Sequence, residues 1–213
     1  MRVLLVVAAC AAVALLGARL KADPVLGTAE ISDEVRAAGL RFAPEVAPAD
    51  RVWIEAAIRS ARPEAQRLIA EIDGLVEVRT DLPRGAAIGL AEMTPSRAVF
   101  RFDLRSLNYD RAVDRNVVVL HELGHVVDYH LVPDELVEEL DRGIPRAGVC
   151  PATSALPVGA CTAVEERFAD TFAKWALGGR ISLAGSGYGI PAPRSIEDWG
   201  APLGLLAARL SAR

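Results

Sequence analysis

The chain has 213 residues, of which 52% are apolar and 24% are charged, and its formal net charge is −4. This length and composition are typical of one globular domain with a terminal extension, and they exclude a largely disordered protein. Because no segment concentrates lysine and arginine into a basic stripe, nucleic acid is not an expected partner.

Residues 1–22 have the composition of an export segment. The apolar run VLLVVAACAAVALLGA follows a single arginine and ends before Arg19. One positive charge before a short apolar run is typical of a secretory signal peptide, and the run is short for a membrane span. Lipidation at Cys10 and retention as an N-terminal membrane anchor remain alternatives. Three alanines are compatible with signal cleavage: Ala14, Ala18 and Ala22. We therefore expect a secreted or cell-surface protein.

The folded domain is expected to span residues 50–213, because residues 23–49 have few periodic apolar positions and predict a linker or an arm. Helical periodicity continues on both sides of Pro63 as far as Gly74. Alternating residues then predict a small, mostly antiparallel sheet. Its strands are expected at 75–78, 86–93 and 98–104.

Four helices are expected after the sheet, which places the domain in the α+β class. They are separated by loops rich in glycine and proline. Their approximate bounds are 112–130, 134–141, 162–177 and 195–210.

Cys150 and Cys161 flank the loop-like stretch PATSALPVGA. An even pair of cysteines in an exported domain predicts a disulfide bond, which would constrain the loop.

All three histidines lie in the stretch VVVLHELGHVVDYH, which runs from 117 to 130. On a helix, His121 and His125 are one turn apart on the same face and can direct two ring nitrogens at one cation. Glu122 can reach a water on that cation without occupying a ligand position. The flanking residues are apolar, so the helix is expected to be buried. The pattern predicts a zinc site with Glu122 as general base.

Three neighbouring residues carry further expectations. Gly124 costs about 1 kcal/mol relative to alanine inside a helix, which predicts that another segment, a strand, passes close to it. Asp128 lies on the ligand face, three residues after His125, and is expected to hydrogen bond to an imidazole. His130 leaves that face and is expected to point to solvent.

The third zinc ligand is expected in the later stretch EERFADTFAKWAL. Glu166 is the first candidate, and Asp170 lies one turn further on, where it could hold a ligand histidine by its other ring nitrogen. Glu165 is the rival, because it lies closer to the aromatic stripe of this helix.

These two segments resemble the gluzincin metallopeptidases and, more closely, the catalytic domain of lethal-factor-type toxins. The toxin motif H-E-F-G-H-A-V-D is similar to the stretch from His121 to Asp128, and its helix E-F-F-A-E-A-F is similar to the stretch from Glu166 to Phe172. The resemblance covers roughly residues 86–177. It implies a zincin-like fold, peptide-bond hydrolysis and Glu166 rather than Glu165 as the third ligand.

Enzymes of this family also use a tyrosine or histidine to stabilise the oxyanion. The toxin's tyrosine lies just before its glutamate helix, where this chain has Gly159 and Cys161. Tyr109, Tyr129 and Tyr188 are the candidates in its place, and Tyr188, in a glycine-rich loop, is the one chosen.

The sequence therefore predicts an exported zinc peptidase with a peptide or protein substrate. An extended substrate is expected to pair with the sheet edge near residues 98–104. The alternative is a catalytically silent zincin-fold binding module at the cell surface that keeps its zinc. Glu122 favours the enzyme, because a purely structural zinc has no use for this carboxylate.

Overall fold

The computed structural model describes residues 40–82, 89–103, 114–146, 163–179 and 190–212. Some predictions fall outside these residues and stay predictions. They concern the export segment 1–22, the disulfide between Cys150 and Cys161, and the role of Tyr188.

Six helices and a four-stranded sheet form the described part of the chain and confirm the α+β class. No helix in this part is both long and apolar enough to span a membrane. The strands are β1 (Arg41–Phe42), β2 (Val76–Arg79), β3 (Gly89–Thr94) and β4 (Arg97–Phe102). The helices are α1 (Pro48–Arg59), α2 (Pro63–Glu71), α3 (Arg115–Leu131), α4 (Asp134–Gly143), α5 (Val164–Ala176) and α6 (Ile196–Leu210).

The described end of the expected linker belongs to the folded domain. β1 pairs in parallel with β2, and the N–H of Ala43 donates a hydrogen bond to the carbonyl of Val78 at 3.0 Å. Helix α1 begins at Pro48, where proline is favoured because its fixed φ suits the first turn. The packed domain thus begins before residue 50.

The prediction of a mostly antiparallel sheet is wrong. The strand order is β1-β2-β4-β3, and β2 runs parallel to both of its neighbours. Only β3 and β4 are antiparallel, because a tight turn between Thr94 and Arg97 joins them as a hairpin. The hairpin adds to β2 through its second strand rather than its first.

This order also corrects the expected substrate edge. β4 lies between β2 and β3, so residues 97–102 have no free edge. In the part of the chain that the structure describes, β3 is the edge strand on this side of the sheet.

The two faces of the sheet differ in character. The inner face presents alternate apolar residues toward the helices, among them Val76, Val78, Ala98 and Phe100. The outer face carries cross-strand ion pairs, such as Glu77 with Arg97 at 2.6 Å and Arg101 with Glu92 at 3.2 Å. Exposed pairs of this kind add little stability, so burial of the inner face against α3 holds the sheet in place.

Helix α5 approaches helix α3 closely at Gly124. A Cβ at this position would lie 3.0 Å from Cα and 3.3 Å from the carbonyl oxygen of Ala169. The segment that passes close to Gly124 is therefore a helix, not the strand that was predicted. This approach places the start of α5 beside the histidine turn of α3.

Gly124→Ala is expected to lower the free energy of unfolding by about 1–3 kcal/mol, the cost of overpacking a filled interior, although alanine has the higher helix propensity. Two of the three nearest atoms belong to the backbone of α5 and the third is Cδ1 of Phe172 at 3.2 Å, so α5 itself must shift as well as this ring. Urea unfolding followed by circular dichroism measures the change.

The matched control is Gly204→Ala in α6, where a Cβ meets only Cγ of Glu64 at 3.7 Å. This variant should be neutral or gain up to about 1 kcal/mol. Equal stability of the two alanine variants would show that the helices do not need a glycine at 124.

Candidate metal centre

Helix α3 carries the histidines through the centre of the domain. Its first turn is capped by Asp114, whose carboxylate accepts a hydrogen bond from the N–H of Asn116 at 2.9 Å. Every residue from Val117 to Val127 is buried. The polar side chains in this stretch must therefore be satisfied inside the protein.

Three buried side-chain atoms converge between α3 and α5. Nε2 of His121 lies 3.1 Å from Oε2 of Glu166 and 3.2 Å from Nε2 of His125. The third distance, from Nε2 of His125 to Oε2 of Glu166, is 3.5 Å. The structure therefore brings together the three residues predicted as ligands. Glu165, the rival, is half-buried and does not belong to this group.

The charges in this group support one another. Burial raises the pKa of Glu166, but hydrogen bonds and charge from His121 and His125 outweigh it and lower the pKa overall. Burial lowers the pKa of His121, but the bond to Glu166 and the nearby carboxylates outweigh it and raise the pKa. The group thus combines an ionised carboxylate with imidazoles in a region of negative potential, which favours a cation.

The spacing of the three atoms fits a metal ion. Ligands at about 2.0–2.1 Å from a tetrahedral centre lie about 3.3–3.4 Å from one another. Moreover, Nε2 of His121 faces two atoms and carries at most one proton, so it can donate to only one of them. His121, His125 and Glu166 could therefore hold a metal ion.

Glu122 lies beside this group without being part of it. The side chain is 2% exposed, and among the described residues its Oε2 has no hydrogen-bond partner. Burial raises the pKa of Glu122, the charges of His121 and His125 lower it in part, and Glu166 raises it again; the net shift is upward. A buried carboxyl with one free oxygen and a raised pKa can take up and release a proton.

Two buried basic side chains hold α5 in place, and the sequence analysis did not predict either. Nε of Arg167, which is 1% exposed, donates to Oδ1 of Asp141 in α4 at 2.6 Å. Nζ of Lys174 donates to the carboxylate of Asp170 and to the carbonyl of Ile190, the latter at 2.5 Å. The sequence could have indicated these contacts, because Arg167 and Lys174 both lie in a helix expected to face inward, where a buried cation needs an internal partner.

The two acids expected to orient a histidine have other neighbours. Nδ1 of His125 has no hydrogen-bond partner among the described residues, so neither Asp128 nor Asp170 bonds to that ring. Asp170 accepts from Lys174 and acts on His121 through its charge, which raises the pKa of that imidazole.

Asp128 lies near other acids at the end of α3. Burial, followed by the charges of Glu165 and Asp134, raises its pKa to about 7. His130, expected to point to solvent, is half-buried, and burial lowers its pKa.

No protein-family model, curated protein or solved structure matches this chain. The zincin-like fold implied by the resemblance stays a prediction.

Glu166→Gln should weaken zinc binding by more than about 100-fold, because removing even an outer-shell partner costs about 10–100-fold. Competition with a fluorescent zinc chelator measures the affinity. Glu165→Gln is the matched control, one residue away on the same helix, and should bind zinc like the wild type. The reverse result would reassign the third ligand to Glu165.

Asp128→Asn should stabilise the protein in a pH-dependent way. The folded pKa, about 7, lies above the ordinary value of 3.8, so the folded state binds the proton more tightly and ionisation costs stability. That cost is absent below about pH 4 and complete above about pH 7. At pH 8 the variant should be more stable than wild type by at least about 1.4 kcal/mol, the value of one pKa unit.

Urea unfolding at several pH values measures this difference, which should close toward pH 4. Asp73→Asn, at an exposed aspartate, is the control and should show no such trend. A constant gap between Asp128→Asn and wild type across the pH range would contradict the assignment.

Proposed function

We propose that this protein is an exported zinc-dependent metallopeptidase in which Glu122 is the general base. The observation that carries the proposal is the convergence of His121, His125 and Glu166 beside a buried, incompletely bonded Glu122. A carboxylate that lies beside the metal ligands without being a ligand can transfer protons. A structural metal site does not require such a carboxylate.

The donor set supports zinc as the ion. Two imidazole nitrogens and one carboxylate oxygen are a known set of three protein ligands in catalytic zinc sites, and they leave a fourth position open. Structural zinc sites are usually closed by four protein ligands. When bound, zinc supplies a Lewis acid that acidifies a water and polarises a carbonyl group.

The remaining roles, metal binding and proton transfer, are assigned to residues of the chain. His121, His125 and Glu166 would hold the ion, with Glu166 contributing a negative charge. Glu122 would accept at Oε2 a proton from the water that adds to the peptide carbonyl, and it would pass this proton to the amine that departs as the C–N bond breaks. Burial raises the pKa of Glu122, so this carboxyl holds a proton more tightly than an exposed glutamate does.

The edge strand β3 is the proposed site for an extended peptide. Among the described residues it pairs only with β4, and its first residue lies against Glu122. A substrate that pairs with β3 would therefore pass close to the base. Tyr188 is kept as the proposed oxyanion-stabilising residue, and secretion through residues 1–22 is part of the proposal.

Glu122→Gln is expected to retain zinc and to lower kcat/KM by about 10²–10⁴-fold, the contribution of a positioned general base. The assay is cleavage of an unbiased peptide pool followed by mass spectrometry, with zinc removed and restored by a chelator and added metal. Glu165→Gln is the control and should cleave at the wild-type rate. If wild-type protein holds one zinc and cleaves nothing, the silent binding module becomes the better reading.

A further inference from the structure

The backbone conformation of Gly89, the first residue of β3, does not require a glycine. Among the described residues the glycines with positive φ are Gly74, Gly178 and Gly179. Gly89 thus has a backbone conformation open to other residues. A glycine in a strand loses packing and backbone entropy, and it often marks a place where another group approaches closely.

The group that approaches is the carboxylate of Glu122. β3 buries alternate residues, so Gly89 shares with Ala91 and Met93 the face that packs against α3. A Cβ built on Gly89 would overlap Oε1 of Glu122 and lie 3.0 Å from its Cδ. The three atoms nearest to that Cβ all belong to this one side chain.

Glu122 has little room to move aside. Its side chain is 2% exposed, so protein atoms rather than water surround it. A side chain at position 89 would push the carboxylate out of its place or push β3 away from α3. Either movement changes the distance between the base and the edge strand.

We propose that Gly89 is a positioning residue for the general base. Its missing side chain leaves the space in which the carboxylate of Glu122 stands between β3 and the metal-binding group. The inference rests on the proposed function, since Glu122 is a base only in that mechanism.

The first test is Gly89→Ala in the full, zinc-loaded chain. kcat should fall by at least about tenfold, because a displacement of about 1 Å can cost on the order of 100-fold, while KM and zinc content stay near their wild-type values. Gly204→Ala is the matched control and should keep the wild-type kcat. A wild-type kcat in Gly89→Ala would overturn the inference.

The second test uses thermal unfolding of the zinc-free protein and needs no activity. Gly89→Ala should lower the Tm by at least about 2 °C in the wild-type background. In a Glu122→Ala background the carboxylate no longer fills the space beside residue 89, so Gly89→Ala should leave the Tm unchanged. An equal loss of Tm in the wild-type and Glu122→Ala backgrounds would overturn the inference. The same conclusion would follow if Gly89→Ala prevented folding in both backgrounds.

The two tests also separate this inference from the proposed function. If wild-type protein cleaves no peptide but the Tm loss depends on Glu122, the peptidase proposal fails and the packing of Gly89 against Glu122 is supported. If wild-type protein cleaves peptides and Gly89→Ala cleaves equally well, the peptidase proposal stands and the positioning role of Gly89 fails.

Discussion

The close approach of helix α5 to helix α3 at Gly124 is the contact on which the candidate site depends. His121 and His125 lie on one helix and Glu166 on the other, 45 residues from His121 along the chain. The two helices approach closely here, since a Cβ built on Gly124 would lie 3.0 Å from Cα of Ala169, and this approach places the three side chains within hydrogen-bonding distance. The glycine that weakens the helix locally is thus what allows the three donor atoms to meet.

A buried ion pair and a buried hydrogen bond tie α5 to neighbouring segments. Arg167 ties the helix to α4 through Asp141, and Lys174 ties it to the segment before α6 through Ile190. Removing one partner of a buried pair leaves an uncompensated charge, so these contacts resist displacement of α5. These contacts therefore help to hold Glu166, which lies on the same helix.

Local periodicity predicted the helices well, and it predicted that His121 and His125 share a face. These features depend on residues a few positions apart. The preference for Glu166 over Glu165 came from resemblance, because the rotation of α5 relative to α3 is a tertiary property.

Strand order could not be predicted for the same reason. Alternation along a strand indicates which residues are buried, but it does not indicate which strand lies next to it. β2 was therefore expected in a mostly antiparallel sheet, whereas it lies parallel to both neighbours. The role of Gly89 depends in turn on its contact with Glu122, a residue of the later helix α3.

The separation between Glu166 and the two histidines also has a consequence for folding. In an unfolded chain, the two imidazoles are close because they are four residues apart, whereas the carboxylate of Glu166 lies 45 residues from His121. An ion that engages all three closes a long loop and favours the folded chain over the unfolded one by mass action. A folded chain without an ion would lack this stabilisation and would unfold, and be degraded, more readily than a loaded one.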